Sequence, residues 1–149
     1  MRVIIGGAHN GKRDYVKKLL AGKEHRWLDC QTLHAGACHQ HNSGDMNIQN
    51  FSGDRHHSVV VVDRVECWLA ETNLGEAEAV ELLLKATNGK NVIFILTDIG
   101  RGIVPMDAGQ RALRDACGRL YQQLMERADE VTRIWYGLPQ TLKKRGEII

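Results

Sequence analysis

The stretch Gly6-Gly7-Ala8-His9-Asn10-Gly11-Lys12-Arg13 sets glycines and a lysine at the spacing G-x-x-x-x-G-K. That pattern can cradle phosphates. A tight turn free of Cβ atoms lets backbone N–H groups converge on phosphate oxygens, and a lysine at the head of the next helix reaches the terminal ones. The position after the lysine ordinarily carries a serine or threonine whose hydroxyl holds Mg²⁺. Here it is Arg13, which cannot ligate a cation. Its guanidinium can pair with a phosphate or with a carboxylate, or simply point to solvent. Asp63, closing the run Val59–Val62, stands where a second, strand-end carboxylate for Mg²⁺ is expected. The eight residues from Gly6 to Arg13 are therefore read as nucleotide-binding, with Asp63 as ligand of a weakened metal site. The bland alternative is a glycine-rich strand-to-helix turn with a surface lysine.

Such a loop works only between a strand and a helix, and the flanking residues supply both. Val3–Ile5 is a short β-branched run before the glycines. Arg13 to Leu20 follows them, with Val16, Leu19 and Leu20 on one helical face. Val59–Val62 and Val92–Leu96 read as further buried parallel strands, and Val131–Tyr136 as a strand that ends at Gly137. Helical spacing recurs over Glu76–Ala86 and, most strongly, over about 107–128, where Leu113, Ala116, Cys117, Leu120 and Leu124 line up. Strands alternating with helices predict an α/β layered fold with a mainly parallel sheet. No repeat or boundary divides the chain, so residues 1–149 are expected to form one domain. Residues 34–57, rich in Gly, Asn, Ser and His, lack periodicity and read as an irregular insertion, of a length usually tied to function or mobility.

Composition removes several classes of function. A net charge of +2 gives no basic field for nucleic acid or an anionic membrane. The longest apolar runs are far too short to span a bilayer, and three apolar residues before the glycines make no secretory signal. Four scattered cysteines form no disulfide framework, so the expected setting is cytoplasmic. Cys30, Cys38, His39 and His41 lack the paired spacing of a zinc knuckle and read as loop residues. Arg111, Arg114, Arg119 and Arg127 lie along one helix, either as a solvated face or reaching a phosphate from another chain. Gly100-Arg101-Gly102-Ile103-Val104-Pro105 is a shaped turn at the carboxyl end of the third strand, beside the phosphate loop. Trp68 and Trp135 are read as core or interface.

Several motifs in order carry a resemblance. "GGAHNGKR" occupies the place of a "GGARSGKS"-like loop, and Asp63 is followed by the pair Trp68-Leu69. "TDIGRGIVP" (97–105) is similar to "NEVGxGIVP". Arg111, Arg114, Asp115, Gly118, Arg119 and Gln122 follow the helix pattern "RxxRDxxGRxNQ", and "ADEV" (128–131) and "GLP" (137–139) close the match. The first 20 residues and roughly 60 to 142 thus resemble the adenosylcobinamide kinase/adenosylcobinamide-phosphate guanylyltransferase family of cobalamin biosynthesis. The resemblance implies a P-loop nucleotide-binding fold, ATP or GTP with Mg²⁺, a corrinoid substrate and a homo-oligomer. It also implies two activities: phosphorylation of the adenosylcobinamide hydroxyl, then GMP transfer through a guanylylated histidine, for which a neutral imidazole is a sensible nucleophile. On this reading Lys12, Asp63 and Asp98 are catalytic, Asp98 orienting the substrate hydroxyl. His57 or His56, in "RHHS", stands in for the histidine. The chain departs from the pattern at Arg13, at Thr97-Asp98 in place of "NE", and in its short middle: only about 51 residues separate Lys12 from Asp63. It reads as a diverged, shortened member.

Overall fold

Five consecutive buried residues, Val59 to Asp63, are stable as a strand only when both faces are covered. The computed structural model, which describes residues 1–30, 59–72, 74–87, 91–99, 104 and 106–148, supplies that cover. Seven strands form one sheet: β1 (Arg2–Gly6), β2 (His25–Asp29), β3 (Val59–Asp63), β4 (Val92–Thr97), β5 (Glu130–Trp135), β6 (Leu138–Lys144) and β7 (Glu147–Ile148). The helices are α1 (Lys12–Leu19), α2 (Val65–Glu71), α3 (Glu76–Thr87) and α4 (Ala108–Arg127).

The strand order is β2-β3-β4-β1-β5-β6-β7. The first five in that order are parallel, and β6 and β7 add antiparallel. Side chains alternate across the sheet, so neighbouring residues enter different cores. Val3, Val62, Phe94 and Leu96 face Trp68, Leu83, Leu120 and Leu124 from α2, α3 and α4. Ile4, Val61, Ile93 and Ile95 face Val16 and Leu20, at and just beyond α1. The three-layer α/β fold with a mainly parallel sheet is thus present as expected.

Four elements lie outside the sequence expectation. β2 has only Trp27 and Leu28 as apolar residues, because it is an edge strand whose first residues, His25 and Arg26, are exposed. α2 is a short helix directly after β3. The strand over 131–136 ends before Gly137 as expected, but the sheet continues past it. Tyr136 (φ 48°) and Gly137 (φ 78°) form a two-residue turn that reverses the chain into β6. Positive φ at both central residues matches the right-handed twist of the strands. Arg145 and Gly146 repeat the device between β6 and β7. β6 carries little apolar pattern because all of it is exposed or half-buried.

Candidate functional site

The strand register decides which residues meet. Gly6 pairs with Thr97, and Asp63 with Ile95 on one side and Asp29 on the other. The carboxyl ends of β1, β3 and β4 therefore bring Gly6, Asp63 and Asp98 to one edge of the sheet, where open α/β sheets bind ligands.

At that edge the chain leaves β1 through residues 7–11 and enters α1. Gly6 is required by packing, since a Cβ there would strike the carbonyl oxygen of Ile134 in β5. Gly11 is required by conformation, sitting at φ 85° as the N-cap of α1. The loop is pinned by backbone bonds: Asp98 N–H donates to Gly6 O at 3.0 Å, and Gly137 N–H to Asn10 O at 2.9 Å. Lys12 opens α1 and is buried. Its Nζ folds back to donate to Gly7 O at 2.6 Å, and burial, with the adjacent Arg13 charge, lowers its pKa. A depression of about 440 Å³ lies over the loop, lined by residues 8–14 with Lys17 and Thr97.

Arg13 does not point idly to solvent. Its Nε donates to Asp63 Oδ2 at 2.5 Å, and that bond raises the guanidinium pKa further. The Asp63 side chain is only 3% exposed, so its carboxylate is committed to the arginine. The expected Mg²⁺ site thus has a cationic side chain in place of one ligand and an ion pair on the other. The residues present fit a divalent cation poorly, and among the described residues no group of three His, Cys, Asp or Glu could hold one. Asp98 lies close enough to Lys12 to act on its charge. His57, Cys38, His39 and His41 lie outside the described residues, as does most of the 100–105 turn.

Two neighbours of the loop escaped the sequence reading. Glu66 stands in the first turn of α2, three residues beyond Asp63. Its Oε2 is buried without a hydrogen-bond partner, and burial followed by the Asp63 charge raises its pKa. The signal was a carboxylate close behind a strand-end aspartate. The other is the β5–β6 tip, tied to the loop through Gly137. Trp68 is core as expected, whereas Trp135 is exposed. The α4 arginines serve local pairs: Arg119 forks onto Glu76 of α3, Arg111 Nη1 donates to Met106 O, and Arg114 meets Asp115.

The family model for cobinamide kinase / cobinamide phosphate guanyltransferase matches residues 37–142, most of the chain. The chain belongs to this family. The matched residues begin after the glycine-rich loop, so that loop stands on its own geometry. A search of curated proteins returns no match. Among solved structures, a protein of Pyrococcus horikoshii OT3 from a structural study shares the fold, with a TM-score of 0.59 over 100% of this chain and 91% of that one at 8% identity. The flagellar accessory protein FlaH from Methanocaldococcus jannaschii superposes less well, with a TM-score of 0.49 at 12% identity, covering 97% of this chain and 78% of that one. No helix among the described residues is long and apolar enough to cross a membrane.

Proposed function

We propose that this member of the family binds ATP or GTP on the Gly6–Arg13 loop and transfers the terminal phosphoryl group to the hydroxyl of adenosylcobinamide. The observation that carries the reading is Lys12, buried at the head of α1 with its ammonium held against the loop backbone at 2.6 Å. A buried lysine with one carbonyl partner is poised to exchange it for phosphate oxygens. The substrate hydroxyl oxygen attacks the terminal phosphorus, the bond to the bridging oxygen breaks with release of nucleoside diphosphate, and the hydroxyl proton passes to solvent. Lys12 and the loop amides offset charge developing on the phosphoryl oxygens. Asp98, fixed at the end of β4, orients the hydroxyl. The reading includes a cytoplasmic setting, a homo-oligomer, and GMP transfer through His57 as a second activity.

The Arg13–Asp63 pair favours a second reading, a nucleotide-binding relative without turnover in which the guanidinium takes over the cation's electrostatic part. Calorimetric titration of ATP and GTP, with Mg²⁺ and with excess EDTA, separates the readings when run beside an adenosylcobinamide assay. Nucleotide is expected to bind in EDTA, because Arg13 already supplies positive charge. Turnover that appears only with Mg²⁺ supports the kinase, and binding without turnover supports its rival. In Lys12→Ala, loss of one charge-assisted contact should weaken binding by about 1.5–3 kcal/mol with the fold intact. Unchanged affinity in that variant would return the loop to a plain glycine-rich turn.

A further inference from the structure

The tip of the β5–β6 hairpin is built unlike a plain turn. Trp135 is 58% exposed, Tyr136 79% and Leu138 72%, a run of large apolar residues left in solvent. Tyr136 also holds a left-handed backbone at φ 48°, where a bulky aromatic is costly and asparagine or glycine is ordinarily chosen. Strain and exposure together call for a ligand or partner.

Two observations say where that ligand sits. The Gly137 N–H donates to Asn10 O at 2.9 Å, so the residue after Tyr136 is bonded to the phosphate loop itself. Gly11 lies equally near, since a Cβ there would touch Gly137 Cα at 3.5 Å. The aromatic tip is therefore continuous with the phosphate site. The tip is also organised: the Trp135 and Tyr136 rings stand 6.1 Å apart, and the Arg133 guanidinium lies 5.5 Å from the Trp135 ring centroid, within reach of a cation–π contact. A wall of aromatic rings beside a phosphate cradle matches a nucleotide, whose flat base is the apolar end of a molecule held by its phosphates.

The geometry points to the hairpin tip, Tyr136 with Trp135, as the wall on which the purine base of the bound nucleotide stacks. This rests on the phosphate-loop reading above and adds the residues that grip the other end of the ligand. Stacking accepts adenine and guanine alike, because both present a π-face. The tip therefore contributes affinity without choosing between ATP and GTP.

The test measures binding of GTP, ATP and inorganic tripolyphosphate to the full chain and to Tyr136→Ala and Tyr136→Phe. Tyr136→Ala should weaken GTP and ATP roughly 5- to 100-fold while leaving tripolyphosphate unchanged, and Tyr136→Phe should recover most of the loss. GTP should also quench tryptophan fluorescence where tripolyphosphate does not, and Trp135→Phe should abolish the quench. Nucleotides that bind Tyr136→Ala as well as the parent overturn the proposal and spare the phosphate loop. An equal loss for tripolyphosphate overturns it too, since the tip would then only brace the loop. A variant that changes oligomeric state without changing affinity reassigns the patch to a contact between copies. Failure of the parent chain to bind any of the three ligands sinks the phosphate-loop reading and this one with it.

Discussion

Arg13 concentrates the chemical question at this site. A hydroxyl at its position would offer Mg²⁺ an inner-sphere oxygen, whereas the guanidinium binds Asp63, the strand-end carboxylate that would share the work. Arg13→Ser should free Asp63 and raise Mg²⁺-dependent phosphoryl transfer, by placing a ligand beside the phosphates where charge develops. The same change removes a charge-assisted bond from a buried aspartate. Because the Arg13 side chain is about half exposed, solvent recovers part of that loss, and a stability cost of about 1–2 kcal/mol is expected. Steady-state rates across a magnesium series and a urea melt read the two effects separately. A parent chain that turns over briskly with Mg²⁺, matched by a variant that does no better, would show that Arg13 impairs nothing.

At the scale of elements, β1 and β5 position the loop by close approach, and two glycines mark opposite regimes. Gly6→Ala drives a Cβ into the Ile134 backbone carbonyl, which no side-chain rotation can relieve. It should destabilise by about 2–3 kcal/mol and weaken nucleotide binding, because β1 and β5 must separate where the loop begins. Gly118 lies on the exposed side of α4, with nothing within 4 Å of the position a Cβ would take. Gly118→Ala should stabilise by about 0.5–1 kcal/mol through helix propensity alone. Chemical denaturation of both variants tests the contrast. A Gly6→Ala protein as stable as its parent would contradict the packing described between β1 and β5.

Global stability should carry the mark of Glu66. Its pKa is raised by burial, so between its unfolded and folded values the native chain holds the extra proton. Stability therefore falls as pH rises through that window, and the cost of charging a carboxylate with one buried, unbonded oxygen persists above it. Glu66→Gln should be more stable than the parent at about pH 8, with the advantage shrinking as pH falls through that window and lost below the unfolded carboxyl value of about 4.5. Thermal melts across the pH range test this, and an advantage independent of pH would exclude ionisation as its cause. The thiols of Cys30 and Cys117, on β2's end and on α4, are pushed up to about 12 by the same buried setting. Large apolar cores on both faces of the sheet make each such group expensive to charge.

What the sequence by itself determined is local and repetitive. The β-branched runs at 3–5, 59–62 and 92–96 could satisfy their bulk only as strands buried on both faces, and the spacing through Leu120 and Leu124 only as a helix against them. The glycine-rich strand-to-helix loop was legible for the same reason, since its glycines, lysine and flanking elements are contiguous. Strand β2 and the β6–β7 hairpin were not, because edge and exposed strands owe their form to a neighbour's hydrogen bonds and bury too little to leave a pattern. Which of its possible partners Arg13 takes, and that Glu66 lies half-buried near the lysine, depended on register: β3 must sit between β2 and β4 before Asp63 meets the loop. The tip at Tyr136 reaches Asn10 across a separation of more than a hundred residues, and only the pairing of β5 with β1 closes that distance.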